Sequence, residues 1–320
     1  MIKRKRLVDY RINTNRDINN SYGGGKLMTL TLRQSSIEEL NRIAEFIARM
    51  NCIPENHIGY CGKNAEEIMS TWKKDFTDVP AENAFISALD EDNIIGVCGF
   101  DADYERKTVD IWGPFIKNND ALETSSILLE ALLKKIPDQI DSVTLFPDIR
   151  NRLVIETGKY LGFKPVSKQT ILTCTNQTLK AKKTQSVSKL PASHNEAFIN
   201  LHNSTFPSSY LSGEQILQGL NDEAAVFGVI EEGNLIGYLY AEANPTYSEG
   251  SIEFFGVDAN ARGKGIGTTL LTGGLQWLFS FPSIKEISLC VRSDNEHAIH
   301  MYKKIGFQEE HNLILLQNNK

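Results

Sequence analysis

The sequence predicts an α+β fold with two similar domains, each a mixed, mostly antiparallel sheet flanked by helices. Three observations support this prediction. The chain has 320 residues, enough for two domains of roughly 100 to 200 residues each. Its hydrophobic content of 41% and charged content of 23% are typical of a soluble globular protein. The third observation is an internal repeat.

The chain matches itself at a shift of about 141 to 144 residues. Three pairs of segments carry the match in the same order and at the same spacing: Asn93-Ile94-Ile95-Gly96 with Asn234-Leu235-Ile236-Gly237, Ser125-Ser126-Ile127-Leu128 with Thr268-Thr269-Leu270-Leu271, and Tyr160-Leu161-Gly162-Phe163 with Lys304-Ile305-Gly306-Phe307. The polar stretch 176–189 has the composition of a linker. We therefore predict a flexible leader over 1–27, a first domain over 28–179 and a second domain over 180–320.

Both repeats have the same pattern of elements: a strand, an amphipathic helix, a meander of strands, a long helix, a strand, a helix ending in Gly-Phe, and a final strand. In the second repeat, 225–230 and 235–243 are β-rich runs joined by a polar turn that contains Gly233, which predicts a hairpin. A strand over 251–257 and a helix over about 266–279 should follow.

Composition also excludes several classes of protein. The net charge of −6 argues against a nucleic-acid-binding surface and suits a small or cationic substrate. There is no apolar run of the roughly 18 residues that a bilayer-spanning helix needs, and no apolar signal-peptide core follows the basic start. The five scattered cysteines are an odd number without a metal-binding spacing, which favours reduced thiols in a cytoplasmic protein.

A glycine-rich loop lies between the predicted strand and helix of the second repeat, in Arg262-Gly263-Lys264-Gly265-Ile266-Gly267. Glycines let backbone N–H groups approach an anion, and the helix N-terminus adds a favourable dipole. Since Arg262 and Lys264 also add positive charge, the loop is predicted to bind a phosphate.

Two common phosphate loops do not fit this spacing. A P-loop needs Ser or Thr directly after its lysine, but Lys264 is followed by Gly265. A dinucleotide fingerprint needs G-x-G-x-x-G within a parallel βαβ unit, whereas Gly263-x-Gly265 runs into Thr268 after an antiparallel meander. A simpler alternative is that the glycines only end a strand and begin a helix.

Two motifs together resemble the GNAT superfamily of N-acyltransferases. Arg262-x-x-Gly265-x-Gly267 is similar to that family's acyl-CoA loop, and 295–307 is similar to its "N..A...Y...GF" helix. The resemblance implies acetyl-CoA as co-substrate, without a metal. Carried over position by position, it assigns acetyl-CoA binding to Phe255, Gly256, Val257, Arg262, Gly263, Lys264, Gly265, Ile266, Gly267, Thr268 and Asn295.

The resemblance also implies catalytic roles. Backbone N–H groups of 255–257 would polarise the thioester carbonyl, and Gly256 suggests a bulge or a close backbone approach. Tyr302 matches the family's general acid, with an ordinary packing residue as the alternative. Glu253 is the candidate general base because Ser251, Glu253 and Phe255 alternate onto one face of a strand. A surface glutamate or a water relay remains open at this position.

The first repeat lacks these features. Asn119, Asp120, Ala121, Leu122, Glu123 and Thr124 stand in place of 262–267. The acidic residues would repel a pyrophosphate. Gly158 stands in place of Tyr302, although Asn151 corresponds to Asn295. We therefore expect a degenerate first domain, retained for packing or for shaping the substrate cleft.

The predicted function is N-acetylation of a primary amine on a small molecule, amino acid or peptide, by a cytoplasmic monomer or homodimer that binds neither nucleic acid nor membrane. A non-catalytic acyl-CoA sensor is the alternative from a different class. The acceptor is expected to contact aromatic and mildly acidic residues of the second repeat: Phe206, Tyr210, Leu211, Glu242, Asn244 and Tyr247.

Overall fold

The computed structural model describes residues 30–117, 121–180, 187–207 and 209–319. The chain forms two compact units, one of Met1–Lys168 with Leu313–Lys320 and the other of Gln169–Asn312. The predicted leader over 1–27 lies outside the described residues, as do Asn119 and Asp120. None of the helices in the described ranges is long and apolar enough to cross a membrane.

The first repeat contains the predicted elements in the predicted order. They are β1 (Leu30–Gln34), α1 (Leu40–Asn51), α2 (Ala65–Asp75), α3 (Ala81–Ala84), β2 (Ile86–Asp90), β3 (Asn93–Asp103), β4 (Thr108–Ile116), α4 (Ala121–Leu133), β5 (Ser142–Leu145), α5 (Arg152–Tyr160) and β6 (Lys164–Thr175).

The second repeat has the same order. Its elements are β7 (Ser188–Lys189), α6 (Asn195–Thr205), α7 (Gly213–Gly219), β8 (Ala224–Glu231), β9 (Asn234–Asn244), β10 (Glu249–Val257), α8 (Ile266–Leu278), β11 (Glu286–Arg292), α9 (Glu296–Ile305) and β12 (Gln308–Asn319). The predicted hairpin is β8 and β9, and its turn consists of Glu232 at φ 50° and Gly233 at φ 79°. Positive φ at both turn residues suits a two-residue hairpin.

Each unit contains a mixed, mostly antiparallel sheet, which confirms the predicted fold class. The strand order is β1-β2-β3-β4-β5-β12 in the first unit and β6-β11-β10-β9-β8-β7 in the second. The pairs β4–β5 and β10–β11 are parallel, and the other pairs within each unit are antiparallel. Each parallel pair is joined through one long helix, as a crossover connection requires.

The last strand of each repeat changes its unit along its length. Residues 169–175 of β6 belong to the second unit, where they pair with β11 from Gln169↔Arg292 to Thr175↔Glu286. Residues 316–319 of β12 belong to the first unit, where they pair with β5. The compact units therefore change at 168/169, while the division of the chain into domains at 179 and 180 stays a prediction.

The second unit buries an apolar cluster on each face of the β9–β10 pair. On one face, α8 and α9 cover residues such as Leu239 and Ile252. On the opposite face, α6 and α7 cover Tyr238, Tyr240 and Phe254. Alternation along β9 explains this division, since successive strand residues point to opposite faces.

Candidate active site

The strands β10 and β11 diverge in the middle of the second unit. Their parallel pairing ends at Ile252↔Leu289, although β10 continues to Val257 and β11 to Arg292. The rest of β10 stays paired with β9 on its other edge. An antiparallel neighbour takes the backbone groups of alternate residues only. The others, along the predicted acetyl-CoA strand 255–257, therefore face the side from which β11 has diverged.

A β-bulge falls at Glu253. On β9, Ala241 and Tyr240 are consecutive, but their partners on β10 are Ile252 and Phe254, so Glu253 is the extra residue. A bulge re-aims the side chains that follow it. Phe254 then joins the α6–α7 cluster and Phe255 packs with the α8–α9 cluster. The prediction that Ser251, Glu253 and Phe255 share one face is wrong for this reason.

Gly256 does not form the bulge that its residue type suggested. It pairs regularly with Tyr238 on β9. A Cβ atom on Gly256 would lie 2.9 Å from Cε1 of Tyr238. The close approach of a buried aromatic ring therefore accounts for glycine here, and a close backbone approach to a ligand at Gly256 stays a prediction.

The glycine-rich loop leads into α8 in the geometry of an anion site. Gly265 is the N-cap of α8 at φ 83°, and no side chain caps this helix. The first N–H groups of a helix have no partner within it, so the N–H groups of Ile266, Gly267 and Thr268 are available to a ligand. A Cβ atom at Gly263 or Gly265 would meet nothing within 4 Å, which shows open space in front of both.

The two basic residues of the loop have different settings. The Arg262 guanidinium donates its Nε–H to the carbonyl of Val257 at 3.2 Å, which ties the loop to the end of β10. The side chain of Lys264 is exposed. Asp258 receives a hydrogen bond from the backbone of Asn260 at 2.8 Å and stabilises the turn. The loop thus presents positive charge on a fixed backbone.

Tyr302 lies close to this loop through the packing of α8 against α9. A Cβ atom on Gly267 would be 3.1 Å from Sδ of Met301 and 3.2 Å from Cζ of Phe255, so only glycine fits without movement. The ring of Phe255 is in turn 6.3 Å from that of Tyr302. Tyr302 is 6% exposed, and burial raises its pKa well above the usual value. Its hydroxyl therefore stays protonated at neutral pH.

Asn295 has a structural role in α9. Its side chain accepts a hydrogen bond from the backbone N–H of Ala298 at 3.2 Å and caps the helix. Asn151 caps α5 of the first unit in the same way, with the N–H of Val154 at 3.2 Å. The correspondence of the two asparagines is thus explained by helix capping, and acetyl-CoA binding by Asn295 stays a prediction.

On the α6–α7 face, two carboxylates meet two tyrosines. The Tyr210 hydroxyl donates to Oε2 of Glu253, and the Tyr240 hydroxyl donates to Oε1 of Glu242. The rings of Tyr210 and Tyr240 lie 5.2 and 6.4 Å from that of Phe254. Burial and the neighbouring carboxylates raise the pKa of both phenols, so each remains a donor. This aromatic and acidic surface suits a cationic amine.

Cys290 lies on β11 where β10 and β11 diverge, one residue beyond their last pair. Cys290 is exposed, but partial desolvation by the surrounding strands, and secondly the charge of Glu253, raises the pKa of its thiol to about 11. The thiol is therefore protonated at neutral pH and unsuited to act as a nucleophile. All five cysteines are free thiols, as predicted.

Sequence reasoning named the loop and two catalytic candidates, whose roles stay predictions, but missed two features of their surroundings. The bulge at Glu253 is specified by pairing with β9, which alternation along β10 alone cannot show. His202, buried under Phe254, also escaped notice. Its signal was the spacing of Phe198, His202 and Phe206, which recur every four residues on one helical face.

In the first unit the parallel strands β4 and β5 also diverge, but side chains of the same unit fill the gap between them. Pairing of β4 with β5 ends at Asp110↔Thr144. The Tyr60 hydroxyl is within hydrogen-bonding distance of two carbonyls at the end of this pairing, at 3.0 Å from that of Ile111 and 3.4 Å from that of Thr144. Its ring stacks on Phe146 with centroids 5.9 Å apart.

Comparisons with known proteins show similarity to acetyltransferases. Residues 195–307 match the acetyltransferase (GNAT) family. The spermine/spermidine N(1)-acetyltransferase of Bacillus subtilis (strain 168) is 29% identical over 121 residues, 35% of this chain and 80% of that protein. A mycothiol acetyltransferase of Amycolatopsis mediterranei (strain U-32) is 34% identical over 93 residues, 27% of this chain and 31% of that protein.

Solved structures share the fold over most of the chain. A GCN5-related N-acetyltransferase from Sphaerobacter thermophilus has a TM-score of 0.73 at 16% identity and covers 91% of this chain and 95% of its own. A tandem GNAT protein from the clavulanic acid biosynthesis pathway has a TM-score of 0.61 at 11% identity, covering 91% and 98%. Two GNAT-like units in one chain are thus a known arrangement.

The fold, the loop and the relatives together define an acetyl-transferring enzyme. The match to the acetyltransferase (GNAT) family lies entirely within the second unit, at residues 195–307. Enzymes of this family use acetyl-CoA as the acetyl donor.

Proposed function

We propose that the second unit transfers the acetyl group of acetyl-CoA to a primary amine of a small molecule, amino acid or peptide. The observation that carries the proposal is the position of Glu253. Its carboxylate lies at the bulge where β10 and β11 diverge, beside the aromatic and acidic face. The basic loop is at the far end of the same strand segment. Opposite charges thus flank the segment on which the reacting groups would meet.

The donor would bind along the free edge of β10. Its pyrophosphate would lie on the N-terminus of α8 with the charges of Arg262 and Lys264 nearby. Outward-facing N–H groups within 255–257 would donate to the thioester oxygen, which gains negative charge during the reaction. These roles are supported by the uncapped helix and the unpaired edge.

The acceptor would bind on the face of Tyr210, Tyr240 and Glu242. An alkyl ammonium group has a pKa of about 10.4, so one proton must leave before the nitrogen can attack. Glu253 would accept this proton, directly or through a water molecule. The nitrogen then forms the new C–N bond as the C–S bond breaks. The second proton of the nitrogen passes to the departing thiolate, to which the Tyr302 hydroxyl donates a hydrogen bond, so CoA leaves as the thiol. Because the relatives include a spermine/spermidine acetyltransferase, polyamines are the first acceptors to test.

Thiol release from acetyl-CoA tests the activity. The purified chain is incubated with acetyl-CoA and one amine at a time: spermidine, spermine, butylamine, a free amino acid or a short peptide. The mass of each product is then measured by mass spectrometry. We expect amine-dependent thiol release and a product heavier by one acetyl group. Thiol release that does not depend on any amine, or no release at all, would contradict the proposal.

Glu253→Gln tests the base. The amide can still receive the hydrogen bond from Tyr210, but it cannot take up a proton, so kcat/KM for the amine should fall by about 10² to 10⁴. Glu231→Gln, at the exposed end of β8, is the matched control and should retain full activity. A Glu253→Gln enzyme with a normal rate and a normal pH profile would assign deprotonation to water.

A further inference from the structure

His202 of α6 is fully buried beneath the proposed acceptor face. Its Nδ1 lies 2.7 Å from the hydroxyl of Tyr238, and its Nε2 lies 2.9 Å from the carbonyl of Leu211 and 3.3 Å from Oγ of Ser209. The ring also meets Phe254 edge-on at 4.7 Å. A buried imidazole with partners on both nitrogens links α6, the segment 209–211 and β9.

These partners define the tautomer of His202. The Leu211 carbonyl can only accept a hydrogen bond, so Nε2 carries the proton. In the neutral imidazole, Nδ1 is then an acceptor, and the Tyr238 hydroxyl donates to it. Burial raises the pKa of Tyr238, which keeps this phenol protonated. The imidazole of His202, the hydroxyl of Tyr238 and the carbonyl of Leu211 are thereby all hydrogen-bonded without a buried charge.

The segment that His202 holds carries Tyr210. Tyr210 lies between the two residues that contact His202 Nε2, and its hydroxyl donates to the Glu253 carboxylate. The Tyr210 ring is 50% exposed, so packing covers only part of it. Its backbone position therefore depends on the hydrogen bonds at Ser209 and Leu211.

We propose that His202 is a positioning residue for the acetyl-transfer reaction, acting through Tyr210. Its Nε2–H holds the segment 209–211 so that the Tyr210 hydroxyl keeps the Glu253 carboxylate oriented toward the amine. This inference rests on the proposed function, in which Glu253 takes the proton. His202 lies on the α6–α7 face, whereas α8 and its anion site belong to the α8–α9 cluster. Loss of the anchor should affect the acceptor and leave acetyl-CoA binding unchanged.

Two substitutions separate the nitrogens of His202. A glutamine amide can occupy the place of Nε2 and still donate to Leu211, whereas an asparagine amide reaches only the place of Nδ1. We expect His202→Asn to lower kcat/KM for the amine about tenfold, the size expected for the loss of one ordinary hydrogen bond. His202→Gln should recover most of this loss. Both variants should bind acetyl-CoA with wild-type affinity in calorimetry.

A double-mutant cycle shows whether the effect passes through Tyr210. In a Tyr210→Phe background the hydroxyl is already absent, so His202→Asn should cause little further loss of kcat/KM. Additive losses, equal losses in the glutamine and asparagine variants, or weaker acetyl-CoA binding would overturn the inference, because a purely structural histidine behaves in these ways.

The anchor can also be measured without catalysis. Imidazole ¹⁵N NMR of the wild-type protein should show His202 as the Nε2–H tautomer at neutral pH. Amide hydrogen exchange at 209–211 should quicken in His202→Asn and stay slow in His202→Gln. The other tautomer, or unchanged exchange in His202→Asn, would refute the anchor. A wild-type chain that acetylates no amine would refute the proposed function, whatever these two measurements show.

Discussion

Tyr302 combines a buried ring with the polar chemistry that a departing thiolate needs. Burial raises its pKa, so the phenol is fully protonated at pH 7, while a free thiol has a pKa of about 8.5. A phenol that is the weaker acid stabilises the forming thiolate by donating a hydrogen bond as the C–S bond breaks. The proposed catalytic role therefore needs the hydroxyl, whereas packing against Phe255 and Phe307 needs only the ring.

Tyr302→Phe separates these two contributions. We expect kcat to fall by about 10² to 10³, the range for removing one hydrogen-bond donor to developing negative charge, while the affinity for acetyl-CoA changes little. Steady-state kinetics, calorimetry and a melting curve on the same protein make the measurement. Tyr160→Phe, at a residue that is 74% exposed, is the control. Near-normal kcat would refute the catalytic role, and a packing residue would lose only about 0.5 to 1.5 kcal/mol of stability.

At the scale of single elements, the loop before α8 depends on glycine for two separate reasons. Gly265 adopts a left-handed conformation at φ 83°, which most side chains avoid. It also leaves the space beside the helix N-terminus open. A bulky acidic substitution would change both backbone strain and charge. A test that separates the two effects compares a charged and an uncharged residue of equal size.

Gly265→Asp and Gly265→Asn form the matched pair. Both residues tolerate the left-handed region better than other side chains and have nearly equal volume. The aspartate puts a negative charge where the pyrophosphate would lie, so we expect acetyl-CoA binding to be lost in Gly265→Asp and weakened less in Gly265→Asn. Calorimetry at several salt concentrations makes the comparison, because screening should reduce the difference.

Gly233→Asp is the control for backbone strain. Gly233 has nearly the same φ, 79°, and equally open surroundings, but it lies in the turn between β8 and β9. It should bind acetyl-CoA normally. Equal affinities for Gly265→Asp and Gly265→Asn would show that charge at this position does not matter and would remove the pyrophosphate from this helix end.

For these elements, the sequence predicted the ends of strands and helices but not the irregular pairing between strands. Hydrophobic alternation and turn residues gave β8, β9 and α8 within one or two residues of their observed ends, because these signals are local. The bulge at Glu253 was not predicted, because it is a property of the pairing between β10 and β9. As a result, the alternation pattern placed the Phe255 side chain on the face of Glu253, whereas it packs with the α8–α9 cluster.

At the scale of the whole molecule, the repeat could be predicted from the sequence, but the exchange of the last strands between the two sheets could not. Residues 169–175, from the first repeat, complete the sheet to which the second repeat contributes five strands. Residues 313–319, from the second repeat, complete the sheet to which the first repeat contributes five strands. The two segments have similar strand patterns. Periodicity predicts a strand without naming its neighbour. A domain boundary drawn from composition alone therefore differs from the change of compact unit at 168/169.

We propose that the first unit does not bind acetyl-CoA, for reasons beyond its missing glycines. Its strand divergence is closed by its own chain: Tyr60 bridges Ile111 and Thr144, and the N–H of Gly59 donates to Phe146 at 2.9 Å. Gly158 stands in place of Tyr302, and a Cβ atom there would lie 2.9 Å from Cδ1 of Leu145. Neither a pantetheine arm nor a tyrosine side chain fits without repacking.

One acetyl-CoA per chain is therefore the expected stoichiometry. Opening the first unit would break the part-buried hydrogen bonds of Tyr60 and its stacking on Phe146, at a cost of about 0.5 to 1.5 kcal/mol for each hydrogen bond lost. No such cost applies at the second unit, where the strand edge and the helix N-terminus are already open. Calorimetric titration of the wild-type chain should give one site, Gly233→Asp should also give one, and Gly265→Asp should give none. Two sites in the wild-type chain, or saturable binding that survives in Gly265→Asp, would instead place a working acetyl-CoA site in the first unit, because only the second-unit loop is altered.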